Sequence, residues 1–414
     1  LPVGLGEEGD LPALRHAPVG RVKRRLEDRA QLVVVRLQDR IVTMIVALRA
    51  ADSHAHERAG NNFQRLGHQV DLIGGKVHKG GVTPDMGRAV RIQRLPVLSR
   101  YKWRWFAARA QRHIDRQGYD FVAGHGHHYR QHVLSMHNCL HLAHEMLYGG
   151  ALDPRGTLAE IHDRIFAEDG FRLCICNSKL MREDLSRRYG VARERLPVIY
   201  PGYRPEQFNR DDRERYRTCV REELGCDENT TLIGLITSGD YQKRGLDILL
   251  HSYAALEESQ KRSSLLLVLG KQASASFFIA EARALGIADR MRFVPHTLSP
   301  QRYFHALDIC AHPARIEEFG QVVQEAFACG VPVVTSKRVG ATELLPKNLY
   351  DALPEAPTAA NISAQLDRLI RNEDERQAIA AQMIEQVRCN TADTNFRATL
   401  EVYRQAGLNI PVDR

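Results

Sequence analysis

The chain carries two series of apolar runs, each alternating with stretches of helical periodicity. The first run, residues 44–48, is apolar without alternation; a polar stretch follows, and a second run begins after Gly67. Continuous apolar runs of this length suit strands buried on both faces, and strand, connection, strand is how a parallel α/β sheet opens. Further strands are expected at 120–124, 132–136, 171–177 and 196–200, with a helix over 178–189 that Ser178 is suited to cap. A second series follows at 231–237, 264–270, 291–294, 308–312 and 331–335, with amphipathic helices over 246–258 and 320–328. The predicted fold class is therefore α/β, two Rossmann-like doubly wound domains facing a central cleft. They take residues 44–203 and 204–390 and meet near Tyr200-Pro201-Gly202; residues 391–414 are expected as a terminal helix that crosses back to the first domain. Ligands of such sheets bind at the carboxyl ends of the strands.

Residues 1–43 break the pattern, with eight Lys/Arg against six Asp/Glu and no sustained apolar period before Leu32. They are expected to be a loose or non-native extension whose removal at Met44 leaves stability and activity unchanged. At 414 residues the chain exceeds what one ordinary core serves, and 43% hydrophobic with 26% charged residues is globular composition. No run approaches the ~18 apolar residues of a membrane span, and no secretory signal opens the chain, so a soluble cytoplasmic protein is expected. Its eight cysteines are scattered without a Cys-x-x-Cys and are expected to be reduced, structural thiols. A net charge of +8 suggests an anionic ligand or surface without saying which.

The stretch from His312 to Val334 sharpens that. Its carboxylates Glu317 and Glu325 stand eight positions apart, one in a loop and one inside the following helix, so their roles differ. The helix start offers unpaired N–H groups and a dipole that favours phosphate, and Glu325 lies roughly 8 Å deeper if Gly320 begins the helix. A nucleotide sugar spans such a distance, with hexose at one carboxylate and ribose at the other. On the residues alone, a βαβ unit with solvated acids remains the alternative.

Glu-x7-Glu running into Glu325-Ala326-Phe327-Ala328-Cys329-Gly330-Val331-Pro332-Val333-Val334 resembles the signature of glycosyltransferase family 4. The resemblance extends to Ser238-Gly239-Asp240-Tyr241-Gln242-Lys243-Arg244-Gly245-Leu246-Asp247 and to Val198-Ile199-Tyr200-Pro201-Gly202, covering the chain from Met44 to Arg404. Its Ser-Gly-Asp-Tyr spacing is similar to that of bacterial lipopolysaccharide core glucosyltransferases. What the resemblance implies is a GT-B enzyme that moves a hexose, glucose favoured, with retention from a nucleoside-diphosphate sugar, UDP favoured, to a lipopolysaccharide-core or other surface-glycan acceptor. Lys243 and Arg244 would neutralise the diphosphate, Glu317 would hold donor-sugar hydroxyls, and Glu325 would bind the ribose. Gly239, Phe319, Gly320 and Gln321 would complete the donor site, and His137, ending the run from Val133, would touch the donor sugar. Neither a metal nor another cofactor is implied. The histidines at 125, 127, 128, 132, 137, 141 and 144 leave a metal site as the weaker alternative. The family's Gly-Gly-x-Glu-Arg is replaced by His54-Ala55-His56-Glu57-Arg58, and the stretch 59–66 is about one turn short. A catalytically silent nucleotide-sugar-binding protein is therefore the alternative function.

Between Arg88 and Arg116 there are nine Lys/Arg and one acid, Asp115. At helical spacing Lys102, Trp105, Arg109, Arg112 and Arg116 share one face, and Trp103, Phe106, Ala107, Ala110 and Ile114 another. The basic face is expected on the acceptor side, in peripheral contact with an anionic membrane or glycolipid; a solvated face is the plainer alternative. No nucleic-acid motif accompanies the charge, so nucleic acid is not an expected partner.

Overall fold

The computed structural model describes residues 45–49, 69–75, 88–92, 101–237, 239–271 and 275–408. Expectations for residues 1–43, for the loop at 54–58 and the stretch after it, and for Ser238 lie outside these.

The first half comprises β1 (Ile45–Arg49), β2 (Gln69–Gly74), β3 (Ala89–Arg91), α1 (Lys102–Gln117), β4 (Phe121–Gly124), β5 (Val133–Ser135), α2 (Leu140–Tyr148), α3 (Leu158–Ala167), β6 (Leu173–Ile175) and α4 (Lys179–Tyr189). The second comprises α5 (Arg213–Leu224), β7 (Thr231–Ile236), α6 (Leu246–Ala254), α7 (Glu258–Arg262), β8 (Ser264–Gly270), α8 (Ala275–Ala284), β9 (Met291–Pro295), α9 (Gln301–Ala306), β10 (Ile309–Ala311), α10 (Gln321–Ala328), β11 (Val333–Val334), α11 (Lys347–Asp351), α12 (Ala359–Arg371), α13 (Glu373–Val387) and α14 (Ala392–Gln405).

The sheets are ordered β3-β2-β1-β4-β5-β6 and β11-β10-β7-β8-β9. Both have the strand order of the doubly wound plan, which reverses beside the first strand; in the second sheet this opens a crevice at the carboxyl ends. The second sheet is wholly parallel. Its inner strands β7 and β8 are almost wholly apolar because they bury both faces, unlike the part-exposed edge strand β9 with Arg292: Leu232 and Leu267 enter one core with Phe304, Val323 and Phe327, whereas Ile233 and Leu266 enter the other with Leu249, Phe278 and Ile362.

Three elements depart from expectation. β1 lies inside the first sheet but antiparallel to both neighbours, β2 and β4. A run such as Ile45-Val46-Ala47-Leu48 signals a buried strand and carries no mark of direction. The strand expected at 196–200 makes a single bridge, Cys176 to Val198, because Pro197 has no N–H to extend a ladder. The helix expected over 246–258 stops at Ala254 and restarts as α7, where Glu257 and Gln260 form a reciprocal cap.

Other local signals hold. Ser178 Oγ accepts from the Met181 N–H at 3.1 Å, and α1 buries Trp103, Phe106, Ala107, Ala110 and Ile114. All eight cysteines are free thiols. Leu400 and Tyr403 of α14 pack with Phe121, Val133 and Ile175, so the end of the chain rests on the first sheet. No described helix is long and apolar enough to cross a membrane.

Candidate functional site

The second sheet's order reverses between β7 and β10, so the loops after these strands stand side by side. The β7 loop carries Gly239 to Gly245, and the β10 loop carries His312 to Gly320. Asp240 fixes the first by accepting from the Gln242 and Lys243 N–H groups at 2.8 and 3.2 Å. Arg315 stitches the two together: its N–H donates to the Lys243 carbonyl at 3.0 Å and its guanidinium pairs with Asp247 at 2.8 Å. Gly245 is forced by this crossing, since a Cβ there would lie 1.9 Å from the Pro313 carbonyl oxygen and φ is +70°.

On this frame the charges interlock. Arg244 pairs with Glu317, and His312 Nε2 lies 3.6 Å from the same carboxylate. Burial alone would raise the Glu317 carboxyl, but Arg244 foremost, then His312 and Lys243, hold it down at about 2. Lys243 Nζ donates to Glu318 Oε2 at 2.8 Å. Gly239 lies against Arg244, whose Nη2 would be 3.4 Å from a Cβ on the glycine.

Gly320, at φ +92°, caps α10, and the N–H groups of Gly320, Gln321 and Val322 meet no protein acceptor among the described residues. Two residues expected at the donor turn their side chains elsewhere. Phe319 is buried against Tyr200, ring centroids 6.1 Å apart, and Gln321 donates its amide to the Gly202 carbonyl at 3.1 Å. Near the helix start these two residues offer backbone only.

Glu325 is half-buried one turn further along α10; its carbonyl accepts from the Cys329 N–H at 3.1 Å, but no hydrogen bond reaches its carboxyl among the described residues. Burial, opposed by Arg204, pushes its carboxyl up to about 8. The two carboxylates of the signature thus differ in kind: paired cations hold the Glu317 carboxyl down, whereas burial pushes the Glu325 carboxyl up and no hydrogen bond reaches it among the described residues.

The opposite wall comes from the first half. His137 follows β5, and its Nε2 lies 2.7 Å from His125 Nδ1, so one ring nitrogen donates and the other accepts. Burial holds His137 at about 4 and His125 well below the usual imidazole range, with neighbouring histidines adding to the latter. Two residues beyond His137, the Cys139 N–H donates to Glu318 Oε1 at 3.1 Å, which sets this wall against the charged loops. Among the described residues no three His, Cys, Asp or Glu side chains stand close enough to hold a metal.

A second contact joins the halves. Glu343 accepts from the Lys179 and Leu180 N–H groups at 2.7 and 2.8 Å and from the Tyr200 hydroxyl at 3.0 Å, capping α4 from across the cleft. Gly340 permits the approach, since a Cβ there would lie 2.7 Å from Ser178 Cβ. Sequence reasoning missed Glu318 and Glu343. Glu318 had a signal: in extended chain, adjacent residues point to opposite sides, so a second acid beside Glu317 faces another partner. Glu343 had none.

α1 shares a core cluster with Ile316 of the β10 loop through Trp103 and Ala107. Arg109, Arg112 and Arg116 are exposed, Lys102 and Trp105 are half-buried, and the Arg109 guanidinium lies 4.6 Å from the Trp105 ring centroid.

A model of glycosyltransferase family 4 matches residues 57–207, and a model of glycosyl transferases group 1 matches residues 220–386. Among curated relatives, D-inositol 3-phosphate glycosyltransferase of Xylanimonas cellulosilytica is 27% identical over 66% of this chain and 66% of its own. Lipopolysaccharide glucosyltransferase WaaG of Escherichia coli is 29% identical over 38% of this chain and 41% of its own. The matched region thus spans less than two thirds of the length of these relatives. In structure, the chain is similar to WaaG, a glycosyltransferase involved in lipopolysaccharide biosynthesis, with a TM-score of 0.68 at 19% identity over 82% of this chain and 94% of that one. It is also similar to Anabaena Alr3699/HepE in complex with UDP-glucose, with a TM-score of 0.61 at 19% identity over 77% of this chain and 86% of that one.

Proposed function

We propose, from the premise that this chain belongs to the glycosyltransferases of the GT-B fold through a family 4 domain followed by a group 1 domain, that it moves a hexose, glucose favoured, from a UDP-sugar to a surface-glycan acceptor such as a lipopolysaccharide core. The observation that carries this is the Glu325 carboxyl, which accepts no hydrogen bond among the described residues, set one turn behind a helix start whose N–H groups meet no acceptor among them and beside which Lys243 and Arg244 stand. A diphosphate at the helix start and a ribose diol at Glu325 satisfy all of these groups together.

In the reaction the bond between the anomeric carbon and the diphosphate oxygen breaks, and negative charge grows on the β-phosphate. Lys243, Arg244 and the amides of α10 stabilise that charge in place. Glu317 accepts from donor-sugar hydroxyls while Arg244 keeps it ionised, and neutral His137 hydrogen-bonds the sugar from the other wall. The acceptor hydroxyl attacks from the face the diphosphate leaves, and the departing phosphate oxygen takes its proton. Retention and independence from a metal follow as parts of this reading.

Melting in the presence of nucleotide sugars ranks donors, since a ligand at 100 times its dissociation constant stabilises by ~2.7 kcal/mol. UDP-glucose is expected to lead, and its turnover with lipopolysaccharide-core acceptors is expected to survive a chelator and give the retained anomer. Binding without turnover on any acceptor favours the silent binding protein. The reading places the protein on the cytoplasmic side of a membrane, with the basic face of α1 on anionic lipid. Vesicles of anionic lipid are then expected to retain the protein and to lose it when Arg109, Arg112 and Arg116 become Gln.

A further inference from the structure

Glu318 is an acid buried to 3% exposure within the donor loops, where a second negative charge works against binding a diphosphate. Its two oxygens are both committed, one to each half of the molecule. Oε1 accepts the Cys139 N–H at 3.1 Å from the first half, and Oε2 holds Lys243 Nζ at 2.8 Å in the second. Neither charge is stable alone here: the Lys243 side chain is 12% exposed and that of Glu318 4%, so each offsets the desolvation of the other.

We propose that Glu318 is a positioning residue that aims Lys243 at the departing diphosphate and makes that aim depend on the two halves being closed. This rests on the reading of the site as a UDP-sugar site. An ammonium has three donors, so Lys243 can keep one on Glu318 and present the others to phosphate. The lysine stem is flexible, and among the described residues the contact to Glu318 is what fixes Nζ. Glu318 is itself fixed by the Cys139 amide, which moves with the first half. When the halves separate, Glu318 loses that donor and Lys243 loses its fixed anchor. Lys243 then has its full effect only in the closed form, where acceptor and donor meet.

The test uses Glu318→Gln, which cannot hold an ammonium by charge, and Glu318→Asp, which keeps the charge but is too short to reach both partners. Turnover of UDP-glucose is expected to fall at least tenfold in Glu318→Gln and by less in Glu318→Asp. The KM for UDP-glucose and the calorimetric affinity for UDP are expected to move less than threefold in both, and Lys243→Met is expected to absorb the effect, so that adding Glu318→Gln to it costs nothing further. Labelling of the full chain with an amine-reactive reagent, read by peptide mass spectrometry, is expected to show Lys243 at least tenfold more reactive in Glu318→Gln than in the parent. Unchanged turnover in Glu318→Gln overturns the proposal, as do additive losses in the double variant, equal losses in turnover and UDP affinity, or unchanged labelling of Lys243. If Glu318→Gln does not fold, Glu318→Asp carries the same readouts. If the parent binds UDP-glucose but transfers nothing, the functional reading fails and the labelling alone decides whether Glu318 holds Lys243.

Discussion

The two walls of the cleft are built from opposite electrostatic materials. The wall from the second half carries full charges in contact: Arg244 with Glu317, Lys243 with Glu318, Arg315 with Asp247. The wall from the first half carries neutral imidazoles, with burial holding His137 at about 4 and its neighbour His125 well below its ordinary value. Charge is dear to bury unless paired, and paired charge can be lent to a ligand that brings its own. The charged wall is therefore suited to a diphosphate whose charge changes during reaction, and the neutral wall to hydroxyl groups that stay neutral.

The contrast predicts its largest effect at the cations. Replacing Lys243 and Arg244 together by Met is expected to lower turnover by at least ~10²-fold, the order seen when preorganised stabilisation of a developing anion is removed, with a smaller loss in donor affinity. Equal losses in the two would make the charged wall a ground-state binder and remove its catalytic role.

The next effect belongs to Glu325, the charged wall's exception. Glu325→Ala is expected to weaken UDP binding by about 1.5–3 kcal/mol, some ten- to a hundredfold. Since its carboxyl stands at about 8 in the free protein, and a ribose diol favours the carboxylate, binding at pH 7 is expected to release a proton. Calorimetric enthalpies would then vary with the buffer's ionisation enthalpy, and not so in Glu325→Gln. The native state holds this proton more tightly than the unfolded chain, so the group's stabilising contribution is full below about 4.5 and is lost as pH rises through about 8. Binding enthalpy independent of buffer would remove the ribose from Glu325.

A smaller effect is expected where the walls are tied. Glu343 caps α4 from the other half, and losing a cap costs about 1 kcal/mol. Glu343→Ala is expected to lower the melting temperature by a few degrees while UDP affinity stays within twofold; a loss of affinity instead would place Glu343 in the donor site.

The same contrast explains what was legible in the sequence. The charged wall comes from two loops of about ten residues each after apolar strands: spacing brought Glu317 and Glu325 into view, and the family resemblance of the stretch from Ser238 to Asp247 brought Lys243 and Arg244. The tandem sheets were legible for the same reason, since strands buried on both faces read as unbroken apolar runs. The direction of β1 was not, because such a run is the same read either way. Glu343 was hidden because its partners are backbone N–H groups about 164 residues distant, and an N–H group leaves no trace in residue type; the acid at Glu318 was visible beside Glu317, but its N–H partner 179 residues away was not. Where the side chains of Phe319 and Gln321 point was not legible, because a motif says which positions lie near a ligand and not which atoms face it.

The smallest effect, and the sharpest for the neutral wall, concerns His137. One neutral hydrogen bond to a sugar hydroxyl is worth about 0.5–1.5 kcal/mol, so His137→Asn is expected to lower kcat/KM for UDP-glucose about three- to tenfold. Because burial holds its folded-state value at about 4, below the ordinary 6.5, His137 is uncharged from pH 6 to 8, and the pH profile of kcat/KM in that window is expected to be the same in parent and variant. The native state binds this proton less readily than the unfolded chain, so the stabilising contribution is present above about 6.5 and lost as pH falls through about 4. His128 and His162 shift in the same direction. Acid melting of the first half is therefore expected to begin below pH 6.5, before protonation of Glu317, held at about 2, loosens the second. An ionisation near 6.5 in the parent's kcat/KM that disappears in His137→Asn would mean that the working imidazole is charged, and the two walls would then differ in geometry rather than in charge.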